Sequence, residues 1–167
     1  MPEKAGIVVS VVMGSDSDLS VMEETVKVLE AFAIPHEIYL TSAHRTPERT
    51  AQFARGAAKR GVRVIIVGAG AAAHLAGVIA SQTLLPVIGV PIDATSLQGL
   101  DSLFATVQMP GGIPVATMAI GKAGAKNAAL FAVRILALED ADLLKKLQAY
   151  VRKMAQEVER KHENLKR

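Results

Sequence analysis

The sequence predicts a three-layer α/β fold: a five-stranded parallel sheet covered on both faces by helices. Three observations carry this. Five short apolar runs alternate with stretches of helical periodicity up to about residue 138, the order that builds a doubly wound sheet. The runs are rich in Val and Ile and apolar at successive positions, as strands buried on both faces are. The chain has 167 residues, 50% hydrophobic and 21% charged, enough for one domain with a core that needs no staples.

The elements follow in order. Residues 6–13 (GIVVSVVM) are the first strand, and Gly14 ends it. Leu19, Met22, Val26 and Leu29 recur at helical spacing, which predicts a helix over 19–32. His36–Leu40 is a short second strand. A second helix runs from Pro47, with proline in its first turn, to about Arg60. Residues 62–67 (VRVIIV) form the third strand, ending at Gly68, and 74–84 form a small-residue helix. Residues 86–90 (PVIGV) are the fourth strand, 100–107 a short helix, 114–120 the fifth strand and 126–138 the fifth helix. Right-handed crossovers leave few strand orders, and the flavodoxin-like order 2-1-3-4-5 is expected. A final helix over about 140–164 has no place on the sheet. No linker, internal repeat or low-complexity stretch divides the chain, so residues 1–167 are expected to form one domain.

Residues 64–92 contain no Asp, Glu, Lys or Arg, long enough to raise the question of a membrane span. Gly68, Gly70, Gly77, Pro86 and Pro91 interrupt the stretch, and His74, Ser81, Gln82 and Thr83 are polar. It reads as strand, glycine turn, helix and strand. The net charge of +3 does not mark a nucleic-acid binder. Residues 145–167 hold eight Lys or Arg against three Glu, while residues 1–144 hold eleven basic and thirteen acidic residues. The excess lies on the terminal helix, as a solvated face. Absence of cysteine excludes a disulfide framework and thiolate chemistry. With four Phe, two Tyr and no Trp, stacked-ring sites are not expected. No basic-then-apolar N-terminal signal is present, so a cytoplasmic location is expected.

In such sheets ligands bind beyond the carboxyl ends of the strands, where the strand order reverses. Three turns meet there. The first is Gly14-Ser15-Asp16-Ser17-Asp18. Its hydroxyls and free amides suit a phosphate, and Asp18 suits sugar hydroxyls; read locally, Ser15, Ser17 or Asp18 equally caps the following helix. The second is Ser42-Ala43-His44-Arg45-Thr46-Pro47. Arg45 offers a fork for phosphate, and His44 is either a proton carrier or an ordinary turn histidine. The third is Gly68-Ala69-Gly70-Ala71-Ala72-Ala73, followed by His74. It fits G-x-G-x-x-A, but it follows the third strand and lacks the acid about twenty residues on that a dinucleotide site needs. A close backbone approach to a small ligand is the better reading, with His74 packed, capping or at the ligand. Lys122 and Lys126 could also meet an anion, and residues 109–112 (MPGG) form a turn at a lid or an interface.

Taken together, MGSDSD at 13–18, SAHRTP at 42–47, GAGAAAHL at 68–75, GVP at 89–91, LDSL and VQMPGGIPV within 100–115, and AIGKAG and NAAL within 119–130 resemble the PurE family of purine biosynthesis. The specific likeness is to its 5-(carboxyamino)imidazole ribonucleotide mutases, over residues 7 to 150. The resemblance implies an enzyme without cofactor or metal that moves a carboxylate from the exocyclic nitrogen to the ring carbon of a ribonucleotide. It places His44 as the catalytic histidine. Ser15, Asp18 and Arg45 take the substrate-binding positions, with Ser42 and His74 in the same set. It further implies a homo-octamer with the active site at subunit contacts and helix 140–165 packed on a neighbour. No nucleic-acid or membrane partner is expected. The family usually has Gly at 71 and Pro at 76, where this chain has Ala. A sister class carboxylates aminoimidazole ribonucleotide with free carbon dioxide and usually has Lys at 45; Arg45 points to the mutases. A phospho-acceptor receiver would need an Asp where Gly68-Ala69-Gly70 stands, and a flavodoxin would need aromatic walls.

Overall fold

A computed structural model describes residues 6–165. They fall into two compact units that divide after Ala132. The first holds a five-stranded sheet in the order β2-β1-β3-β4-β5, every pair parallel. The strands are β1 Val9–Met13, β2 His36–Leu40, β3 Val64–Gly70, β4 Val87–Ile92 and β5 Ala116–Thr117. The helices are α1 Leu19–Ala31, α2 Pro47–Ala57, α3 Leu75–Ala80, α4 Leu100–Val107 and α5 Gly121–Leu136, and α2 is extended by a 3-10 turn, Ala58–Arg60. The expected fold class and strand order are both found.

Every residue of β1 and β4 is buried, and of β3 all but Gly70, which is why they read as unbroken apolar runs. β2 is an edge strand and alternates half-buried and exposed positions at its end. In register, Met13 of β1 lies between Leu40 of β2 and Gly68 of β3. The three turns singled out in the sequence therefore start side by side.

Several boundaries differ from expectation. β3 starts at Val64 and runs through the glycines to Gly70. Both glycines are closely packed against protein. A Cβ at Gly68 would sit 2.5 Å from the Met22 sulfur, and one at Gly70 would sit 2.6 Å from the Ala94 Cβ. α3 has six residues and stops at Ala80, not Leu84. Side chains there compete for backbone groups: Ser81 Oγ donates to the Val78 carbonyl (2.8 Å), and the Leu85 amide donates to Thr83 Oγ1 (3.2 Å). β5 pairs over only two residues, Ala116 and Thr117, and α5 starts five residues earlier than the periodicity suggests. Its face of Ala125, Ala128, Ala129 and Ala132 is fully buried, and the Thr25 hydroxyl ties it to α1 by donating to the Ala125 carbonyl (2.8 Å).

The second unit, from Val133 on, holds the end of α5 and the long helix α6, Ala141–Leu165. Asp140 caps α6, its Oδ1 accepting from the amides of Asp142 and Leu143 at 3.0 and 2.9 Å. Among the described residues no helix is long and apolar enough to cross a membrane; the uncharged stretch 64–92 is β3, α3 and β4.

Candidate active site

The turns after β1, β2 and β3 enclose a cavity of about 440 Å³. Its walls include Ser15, Ser17 and Asp18 from the first turn, Ser42, His44 and Arg45 from the second, and the backbone of Ala69 to Ala72 from the third, with Ala94 beyond β4. It lies at the carboxyl ends of β1 and β3, where the order reverses.

In the first turn the capping reading holds, and Ser15, Ser17 and Asp18 also line the cavity. Asp18 is 5% exposed, and its Oδ2 accepts from the Ser15 amide (3.0 Å). The Ser17 amide donates to Ser15 Oγ (3.4 Å). The capping box is therefore made. Burial pushes the Asp18 carboxyl above its ordinary range; amide bonds from Ser15 and Gly14 pull it back in part.

The second turn is pinned by threonine hydroxyls that the motif does not reveal. Thr41 Oγ1 is within 3.2 Å of Thr46 Oγ1 and 2.8 Å of Thr50 Oγ1. Thr46 Oγ1 accepts from the Ser42 amide (3.0 Å) and makes no cap bond to α2. The spacing 41, 46, 50 of three threonines is the signal that could have found this network. Arg45 is held from below. Its Nη2 donates to the Gly14 carbonyl (3.0 Å) and its Nε to Ser42 Oγ (3.4 Å). One edge of the guanidinium is thus spent on bridging the first two turns, and three N–H groups remain. Ser42, expected at the substrate, orients Arg45 in addition to lining the cavity.

His44 and His74 meet across the third turn, with Nε2 of His44 2.9 Å from Nδ1 of His74 and the rings edge-on at 83°. His74 does not line the cavity. It is an exposed residue at the start of α3 and makes no side-chain cap, so it is not packed in a buried helix as its alanine neighbours suggested. The 2.9 Å contact pairs one ring nitrogen as donor with the other as acceptor. Ala71, in the position the resemblance flagged, has φ +52°, a left-handed conformation that carries strain for a residue with a Cβ.

Other candidates are not in the cavity. Lys122 and Lys126 are exposed on α5, and Met109, from the 109–112 turn, packs on Gly77 of α3. Among the described residues no three His, Cys, Asp or Glu are placed to hold a metal.

The sequence model of the AIR carboxylase family matches residues 8–157. An N5-carboxyaminoimidazole ribonucleotide mutase of Pyrococcus horikoshii is 56% identical over 157 residues, 94% of this chain and 88% of that protein. The protein of that name from Synechocystis is 58% identical over 142 residues, 85% of this chain and 80% of that one. The crystal structure of Treponema denticola PurE superposes with a TM-score of 0.86 at 30% identity, covering 96% of this chain and 99% of that one.

Proposed function

The chain belongs to the AIR carboxylase family, and on that premise we propose that it is a mutase that turns N5-carboxyaminoimidazole ribonucleotide into the ring-carboxylated isomer. Relatives that are 50–58% identical and bear the mutase name support this over direct carboxylation with free carbon dioxide, and Arg45 agrees with them.

One observation carries the assignment of roles. Of the titratable side chains lining the cavity, Asp18 is tied to backbone amides and Arg45 is permanently charged. His44 is left to move a proton. Arg45, Ser15 and Ser17 hold the phosphate, the Asp18 carboxylate accepts from the ribose, and Ser42 fixes Arg45. His44, as imidazolium, gives its proton to the exocyclic nitrogen as the N–CO2 bond breaks. Carbon dioxide stays between small side chains and the backbone of Ala69 to Ala72. The ring carbon forms the new C–C bond, and neutral His44 then takes the proton from that carbon, which restores the aromatic ring. Protons balance over the cycle, and no external acid is consumed. His74 is a positioning residue that holds the His44 ring through the shared bond.

We extend the proposal to a cytoplasmic homo-octamer, each chain one mutase domain with α6 seated on a neighbour; the family resemblance supports this. The test is incubation of the purified protein with the carbamate ribonucleotide. Appearance of the ring-carboxylated product is expected at a rate independent of added bicarbonate. Product formed only from aminoimidazole ribonucleotide and bicarbonate would instead assign the sister reaction.

A further inference from the structure

Thr50 is fully buried in α2 and lines no wall of the active-site cavity. We propose that it is a positioning residue for the proton transfer: its hydroxyl, acting with Thr41 and Thr46, fixes the turn 42–46 that presents the His44 ring.

The argument starts from a helix start that breaks its own rule. Thr46-Pro47-Glu48 reads as ordinary helix initiation, and a threonine in that place normally turns its oxygen to the first free amides of the helix. Thr46 gives up that bond. It turns back instead, its Oγ1 donating to the Ser42 carbonyl (3.1 Å) and accepting from the Ser42 amide (3.0 Å). The Thr46 amide donates to the same carbonyl (2.9 Å). Both backbone groups of Ser42 are thus clasped, and His44 sits in the middle of the closed turn. A local rule broken without a local gain marks a place where the site decides the geometry.

Proton counting shows what holds the clasp. Each threonine hydroxyl has one proton to give. That of Thr46 goes to Ser42. With that of Thr50 on the Thr46 carbonyl (3.1 Å), the proton of Thr41 is left for both hydroxyl contacts, 2.8 Å to Thr50 and 3.2 Å to Thr46. Thr41 is itself fixed to β1, its amide donating to the Met13 carbonyl (3.0 Å). Thr50 therefore ties the clasp to both α2 and the end of β2. His44 and Arg45 depend on it unequally. Arg45 is anchored separately, Nη2 on the Gly14 carbonyl (3.0 Å) and Nε on Ser42 Oγ (3.4 Å). The His44 ring has one hydrogen bond among the described residues, to His74. A slack turn costs proton transfer more than phosphate binding. The kinetic consequence rests on the mutase reading; the geometry does not.

The experiment removes the hydroxyl and keeps the shape. In Thr50→Val, kcat on the carbamate ribonucleotide, counted per site that binds the ring-carboxylated product, should fall about tenfold or more, with KM and product affinity within about twofold. Thr50→Ser, which keeps the hydroxyl, should recover most of the loss. Thr25→Val is the control. Thr25 is equally buried and donates to the Ala125 carbonyl (2.8 Å), so its loss should lower stability and leave kcat per site unchanged. A second readout needs no turnover. The ring NMR signals of His44 and His74 should move in Thr50→Val while those of His36 and His162 stay, and Thr25→Val should move none of them. An unchanged kcat per site in Thr50→Val, an equal fall in Thr25→Val, a Thr50→Ser protein as slow as Thr50→Val, or histidine signals that stay in place would each overturn the proposal. Wild-type protein without turnover would count against the mutase reading instead, and the histidine signals would still decide this one. If Thr50→Val does not fold, Thr50→Ala, which removes the hydroxyl without putting a methyl in its place, carries the same comparison.

Discussion

His44 and His74 are thirty residues apart in sequence and 2.9 Å apart in space, and their bond makes the two rings separable by experiment. His44→Asn keeps a polar side chain but cannot carry a proton. Turnover should fall by roughly 10³–10⁴, the upper range for loss of a general acid–base that serves two steps, while product binding persists. His74→Asn should cost about tenfold in turnover with product binding unchanged, because the His44 ring loses the bond that holds it. Near-normal turnover in His44→Asn with collapse in His74→Asn would reverse the roles. Asp18 gives a second residue-scale expectation. Its folded-state pKa is raised, chiefly by burial, so between its unfolded and folded values the native state binds more protons. Its contribution to stability therefore falls as pH rises through that window. Denaturant curves of wild type and Asp18→Asn, taken across the acid range, should show their difference declining there and level outside it. Nucleotide binding should strengthen over the same window, because a ribose hydroxyl donates best to the charged carboxylate. A level difference throughout would remove Asp18 from this account.

At the scale of elements, the third turn shows what its sequence pattern conceals. Glycine at 68 and 70 suggests room for a ligand, yet Met22 and Ala94 occupy the space a Cβ would take. The residue in the left-handed region is Ala71, φ +52°. That conformation costs an alanine about 1–2 kcal/mol, against about 0.4–1 kcal/mol from the greater freedom of glycine in the unfolded chain. Ala71→Gly should raise stability by about 0.5–1 kcal/mol on that difference, read as a higher denaturant midpoint with unchanged slope; a lower midpoint would mean that the strain is relieved elsewhere. The elements legible in sequence are those set by burial. Three strands buried on both faces and the helices α1, α2 and α4 stand near their expected positions. The illegible ones depend on partners that lie far away in sequence. β5 pairs with β4 over only Ala116 and Thr117. α5 starts early because its alanine face closes on the core through Thr25 and Ala125, and its small residues read as a turn. The site was legible as three turns, since each motif is local. The Thr41–Thr46–Thr50 network and the His44–His74 bond were not, because they exist only once the turns are folded.

For the whole molecule the open question is what covers its exposed apolar side chains. α3 is not the source, because Leu75, Ala76 and Ile79 are buried within the first unit. α4 is. It turns Ser102 and Thr106 inward, where their hydroxyls bond to backbone carbonyls, and leaves Leu100, Phe104 and Val107 exposed at 52%, 57% and 47%, with Leu97 at 57%. These four recur at positions 97, 100, 104 and 107, a single stripe of helical spacing. An amphipathic helix facing the wrong way for a monomer fits a chain that associates with its own copies, as the proposed homo-oligomer requires. Light scattering at micromolar concentration should give a multiple of the 17.6 kDa chain mass. Phe104→Glu adds a charge in the middle of the stripe, touches no residue of the cavity, and should lower that mass. If the site lies at subunit contacts, turnover should fall with the mass, and raising the protein concentration should recover both together. A wild-type mass of one chain would end the oligomer reading, and a smaller Phe104→Glu species with full turnover would place the active site within a single chain.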